Sequence, residues 1–124
     1  MVNEVEIFKA VGEETRLRIM RLLVKFQEEL CACEIIDIIE KPQYNISKNL
    51  KILVKAGLIE ERRDGKMMVY QVKKGERIND KMSELISQVK CSSNEIFKND
   101  FKRMNKRLSV RKGGKCVVPS CDCN

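Results

Sequence analysis

Apolar residues recur at helical spacing from the start of the chain. Val5, Phe8 and Val11 predict a short first helix. Leu17, Ile19, Met20, Leu22, Leu23 and Phe26 form a wide stripe that predicts a second helix over Thr15–Phe26. A brief third helix is expected over Cys33–Ile39, stopped by Lys41-Pro42. From Tyr44 to Ala56 one face carries Ile46, Leu50, Leu53 and Val54, the other Asn45, Lys48, Asn49, Lys51 and Lys55. Gly57 is placed to end that helix as a C-cap residue. The period then falls to two. Leu58–Arg63 and Lys66–Val72 flank Asp64-Gly65, a strong hairpin signal, with both turn residues expected at positive φ. After Gly75 a helical stripe runs through Ile78, Met82, Leu85, Val89, Ile96, Phe97, Phe101, Met104 and Leu108. No Pro or Gly interrupts it for about 30 residues, so it predicts one helix of roughly 45 Å. Such a helix cannot bury its stripe alone, which points to a symmetric dimer.

These elements make a mainly α chain with a small β hairpin, in the order of a winged helix-turn-helix. Residues 1–108 are expected to form the DNA-binding and dimerisation domain. Residues 109–124, beyond an Arg111–Lys115 hinge, are expected to form a flexible cysteine-bearing tail.

Composition sharpens this. The net charge is +7 over 124 residues. Residues 1–40 hold five Lys/Arg against nine Asp/Glu, residues 41–74 nine against three, and residues 98–115 eight against one. An acidic front and a basic middle suit a polyanion held at one face. The 44–56 helix would lie in the major groove, with Gln43, Tyr44, Asn45, Ser47, Lys48 and Lys51 in reach of DNA. Asn and Gln can pair with adenine through two hydrogen bonds, while lysines mostly meet phosphates. Arg62, Arg63 and Lys66 surround the hairpin tip and would touch the flanking backbone. The start of the chain lacks the basic and apolar runs of a signal peptide, and no apolar stretch is long enough to cross a bilayer. A cytoplasmic protein with no membrane partner is expected, and its six cysteines read as metal-binding or redox-active rather than as structural disulfides. There is no histidine, so a metal site would be built on sulfur and would favour soft ions.

Several runs carry a family resemblance. Phe8–Met20, Glu29-Leu30-Cys31-Ala32-Cys33-Glu34-Ile35, Ile46-Ser47-Lys48-Asn49-Leu50-Lys51-Ile52-Leu53, Ala56-Gly57-Leu58-Ile59 and Arg62-Arg63-Asp64-Gly65-Lys66 together resemble the ArsR/SmtB family of metal-sensing repressors. The resemblance covers residues 5–74. It implies a homodimeric winged-helix repressor, dimerised by its first and last helices, that leaves operator DNA when its effector binds.

Arsenite-responsive members of that family carry Cys-x-Cys-x-x-Cys at the third helix. Cys31 and Cys33 match the first two positions, but the third is Ile36. Lead and cadmium types add amino-terminal cysteines, and residues 1–30 contain none. The missing thiolates fall to Cys91 or to the tail residues Cys116, Cys121 and Cys123, of which the tail set is the expected one. Residues i and i+2 of a helix face about 200° apart, so Cys31 and Cys33 can share an ion only if the helix start is unwound. Arsenite or antimonite is the first expectation as effector, cadmium or lead the next. A thiol-redox or persulfide switch on the same fold is the alternative. An enzyme is not expected, because Cys-x-x-Cys, a βαβ pattern, a phosphate-binding glycine loop and a histidine base are all missing from the sequence. A metal-buffering protein would require DNA binding to be absent.

Overall fold

The computed structural model describes residues 4–89 and 95–111. Within them the order is α1 (Glu4–Val11), α2 (Glu14–Phe26), β1 (Leu30–Cys31), α3 (Ala32–Ile39), α4 (Gln43–Lys55), β2 (Ile59–Asp64), β3 (Met67–Val72), α5 (Arg77–Ser87) and α6 (Glu95–Ser109). The fold is a mainly helical winged helix-turn-helix. Helix α2 is its axis and packs against every other helix and against β3. It starts where Glu13 accepts the amide protons of Thr15 and Arg16, both at 3.1 Å, satisfying donors that a helix start leaves open. Burial alone would push the Glu13 carboxyl up, but these bonds and the Arg16 charge bring it below the usual range. Ile19, Met20, Leu22 and Leu23 are fully buried on α2 and face Ile35 and Ile38 of α3 and Ile46, Leu50 and Leu53 of α4 in one core. Each such side chain contributes about 1.5–3 kcal/mol by leaving water.

Helix α4 ends as its glycine predicts. Gly57 has φ 81°, its amide bonds Val54 O at 2.9 Å, and the Leu58 amide bonds Leu53 O at 3.1 Å. This double closure needs a left-handed residue at Gly57. The fully buried Asn79 of α5 donates to Gly57 O at 2.6 Å, tying the end of α4 to the next helix.

Three features differ from the sequence expectations. The hairpin is displaced by one residue: Asp64 pairs with Met67, so Gly65-Lys66 forms the loop and only Gly65 has positive φ, at 65°. Glycine first in a two-residue loop suits a hairpin turn that leaves the second residue unstrained. Next, a third strand, β1, joins the edge of the wing, giving the sheet order β1-β3-β2, antiparallel throughout. Last, the stripe expected as one helix is two. Helix α5 stops at Ser87, and the longer α6 folds back on α2 and α3. Arg21 of α2 explains part of the break: its Nη1 donates to Ile86 O in the last turn of α5 at 3.3 Å and to Val89 O just beyond it at 2.5 Å. Its guanidinium also lies over the rings of Phe97 and Phe101 of α6, 4.5 and 5.2 Å from their centres. Met82, Ile86, Phe97 and Met104 are thereby buried within one chain. Among the described residues no helix is long and apolar enough to cross a membrane.

Candidate nucleic-acid interface and thiol site

The break between α3 and α4 puts the amino-terminal residues of α4 at the surface. Gln43, Tyr44, Lys48 and Lys51 are exposed, Asn45 and Ser47 half-buried. Tyr44 is 77% exposed, a large side chain left in water at the helix tip. Asn45 is not idle: its side-chain oxygen and its backbone carbonyl accept the Asn49 amide, at 3.1 and 2.9 Å. Asn49 in turn accepts from Arg16 Nη1 at 2.9 Å, and Arg16 Nε bonds Ala10 O at 2.6 Å. The orientation of α4 is thus set by a polar chain from α1 through α2, and Asn45 sits at its end with a second lone pair left for a base.

Arg62, Arg63 and Lys66 are exposed on the hairpin, as expected. Arg62, however, is held. Its Nε and Nη2 bond both oxygens of Glu29, at 2.9 and 2.5 Å. These bonds bring the Glu29 carboxyl below its usual range and raise the Arg62 guanidinium.

Three arginines in and just beyond α6 pack against α3. Arg103, Arg107 and Arg111, four residues apart, reach α3 in succession. Arg103 Nε donates to Ile38 O at 2.5 Å, Arg107 Nε to Asp37 at 2.8 Å, and Arg111 clasps both oxygens of Glu34 at 2.6 Å. Asp100 completes the clamp, accepting Arg18 at 2.8 and 2.9 Å with both side chains buried.

Cys31 and Cys33 come together. Cys31 is the N-cap of α3, extended at φ −82°, ψ 160°, and pairs with Val69, while Cys33 lies in the first turn. The required unwinding of the helix start is therefore built in. With Val69 the two cysteines form a small buried cluster apart from the main core, with Met67 packed on it. Both are disulfide-bonded, where free thiols are the expectation for a reduced protein. Glu34, fully buried beside them, accepts the Cys31 amide at 3.0 Å as well as Arg111. Its carboxylate is committed and is no ligand. Among the described residues no group of three Cys, Asp, Glu or His is placed to hold a metal. Once reduced, the pair offers a thiophilic ion two sulfurs in an apolar, histidine-free setting, so the donor set fits such an ion in kind and lacks at least one ligand. Cys91, Cys116, Cys121 and Cys123 lie outside the described residues.

The Glu29–Arg62 tie, the strand β1 and the Arg103–Arg107–Arg111 series are not apparent from the sequence. Only the four-residue spacing of the arginines signals any of them.

A helix-turn-helix with a basic, exposed second helix and a wing defines a DNA-binding regulator of transcription. Comparison with known proteins agrees. Residues 13–61 match the model described as bacterial regulatory protein, arsR family. An uncharacterized HTH-type transcriptional regulator of Methanocaldococcus jannaschii is 42% identical over 84 residues, spanning 68% of this chain and 88% of that protein. The putative arsenical resistance operon repressor ArsR of Halobacterium salinarum is 40% identical over 55% of this chain and 53% of its own length. The cadmium resistance regulatory protein CadC of Listeria innocua is 38% identical over 53% of this chain and 55% of its own. Against these two the chain spans about half of the relative's length. HlyU from Vibrio cholerae has a similar structure, with a TM-score of 0.63 and 27% identity over 71% of this chain and 91% of HlyU. The chain belongs to the arsR family, and it is a transcriptional repressor rather than an enzyme.

Proposed function

We propose that this protein is a homodimeric repressor released from its operator by a thiophilic metal or metalloid ion, arsenite or antimonite before cadmium or lead. The observation that carries the reading is the shared buried cluster of Cys31 and Cys33 at the start of α3. Arsenical and cadmium resistance regulators among the relatives support it. Reduced Cys31 and Cys33 supply two thiolates, and Cys116, Cys121 or Cys123 the remainder. Each thiol replaces one hydroxyl of arsenous acid and one water leaves, with no change of oxidation state. Gln43, Tyr44, Asn45, Ser47, Lys48 and Lys51 face the groove, and Arg62, Arg63 and Lys66 the flanking backbone.

The test is operator affinity of the reduced protein at fixed salt, titrated with arsenite, antimonite, cadmium, zinc and diamide. Release by arsenite at stoichiometric ion per site is expected. Truncation after Lys115 should leave repression intact and weaken that response. The disulfide-bonded state of both cysteines favours a second reading, a redox switch. There, diamide takes two electrons and two protons from a pair of thiols, becomes a hydrazine, and releases DNA with no ion bound.

A further inference from the structure

Arg62 and Cys31 occupy one row of the wing sheet. Val69 of the central strand is the register partner of Cys31 on one side and of Arg62 on the other. Two residues before Cys31, Glu29 grips the Arg62 guanidinium with both carboxylate oxygens. The Glu29 carbonyl accepts Arg111 Nη2 at 2.8 Å, and the same guanidinium clasps the Glu34 carboxylate that receives the Cys31 amide. Glu29 is therefore fastened to the thiol site through its backbone and to the wing through its side chain.

We propose that Glu29 is a positioning residue of the DNA interface, holding Arg62 for a phosphate and passing a change at Cys31 to it. This rests on the ion-responsive reading above. A bidentate carboxylate engages Nε and one amino group of the guanidinium, and the other amino group remains for a phosphate oxygen. The start of α3 already lets the two sulfurs share one ion, and the sulfur–ion bond lengths imposed on them shift the extended backbone at Cys31. Only two residue pairs, Leu30 with Tyr70 and Cys31 with Val69, hold β1 in the sheet. The run Glu29-Leu30-Cys31 shifts as one piece, and Arg62 loses its fixed partner. Release then begins where the wing lets go of a phosphate, before any change in the base-reading helix.

The two routes differ in what they remove. Loss at α4 removes discrimination between sequences, whereas loss at Arg62 weakens all duplexes and lowers the salt dependence. The experiment compares reduced wild type, Glu29→Gln and Arg62→Ala on operator and random duplex across a salt series, with and without arsenite. Arg62 is exposed, Glu29 is half-buried and neither belongs to the core, so the fold survives either change. Arsenite binding is read separately from the sulfur–arsenic absorbance. For wild type, arsenite is expected to weaken operator and random duplex alike and to lower the salt slope by about 0.9 for each phosphate that the protein no longer neutralises. Glu29→Gln is expected to bind arsenite as wild type does, with a reduced ratio of DNA affinities without and with the ion. Arg62→Ala should start with the lower slope, and arsenite should not lower it further. An unchanged ratio in both variants, beside a wild type that releases, overturns this inference and leaves the ion-responsive reading standing. A wild type that binds arsenite without releasing DNA, or does not bind it, overturns both.

Discussion

Tyr70 carries a consequence readable from one side chain. It sits on β3 opposite Leu30 and Glu61, only 8% exposed. Burial pushes its phenol up from 10.0 to about 12, and the neighbouring Glu61 carboxylate pushes in the same direction. The folded state thus resists ionisation that the unfolded chain accepts. Its contribution is whole below pH 10 and is lost as pH rises from 10 toward 12. In a Tyr44→Phe background, ultraviolet titration should show a single phenol ionising near 12, and urea stability should decline above pH 10. A midpoint near 10 would contradict the burial of this ring. Cys33 makes a second case. Cys33→Ser places a hydroxyl in the apolar cluster, at a cost of about 1–3 kcal/mol in stability. It leaves the exposed residues of α4 and the wing arginines in place, so operator affinity should persist while release by arsenite disappears.

At the scale of elements, α6 is attached by charge as much as by apolar contact. Asp100→Asn leaves Arg18 buried without its counter-charge, which typically costs about 3–5 kcal/mol. Urea denaturation should show that loss, and a change below about 1 kcal/mol would mean the pair is not buried in solution. The DNA face separates by element too. Asn45→Ala should cost about 1–3 kcal/mol on the operator and little on random duplex. Lys51→Ala should weaken both and reduce the salt slope. Much of this architecture is legible in the sequence: α1 to α4 follow from period 3.6, and the wing from period 2 around Gly65. The division of the last stripe is not, because Ile78 to Leu108 keeps helical spacing across the break. The signal that bears on it is the run Ser92-Ser93-Asn94, residues that favour helix starts over helix interiors. Strand β1 escapes because two residues carry no period. The Glu34–Arg111 and Glu29–Arg62 pairs escape because 77 and 33 residues separate their members.

For the whole molecule, assembly decides how the surface is used. Val5, Phe8 and Leu85 are each more than half exposed although apolar, on the first helix and on α5. On the proposed homodimer, Leu85→Lys lowers stability and operator affinity together, since only the dimer spans two half-sites. Sedimentation showing a monomer that still binds operator at micromolar concentration would refute it. The chain's own burial of Phe97 and Met104 already shows that the last stripe does not depend wholly on a partner. The clasp of Arg111 on Glu34 bears on a different matter, the competition for an arsenic or cadmium ion inside a cell. Cys116 follows Arg111 by five residues, and a chain of that length spans at most about 18 Å between Cα atoms. A ligand tethered so closely acts at an effective concentration in the millimolar range. On the proposed sulfur site, small soluble thiols at similar levels meet an even rival for the third place on the ion. Cutting the tether at Arg111 would hand that place to the solvent.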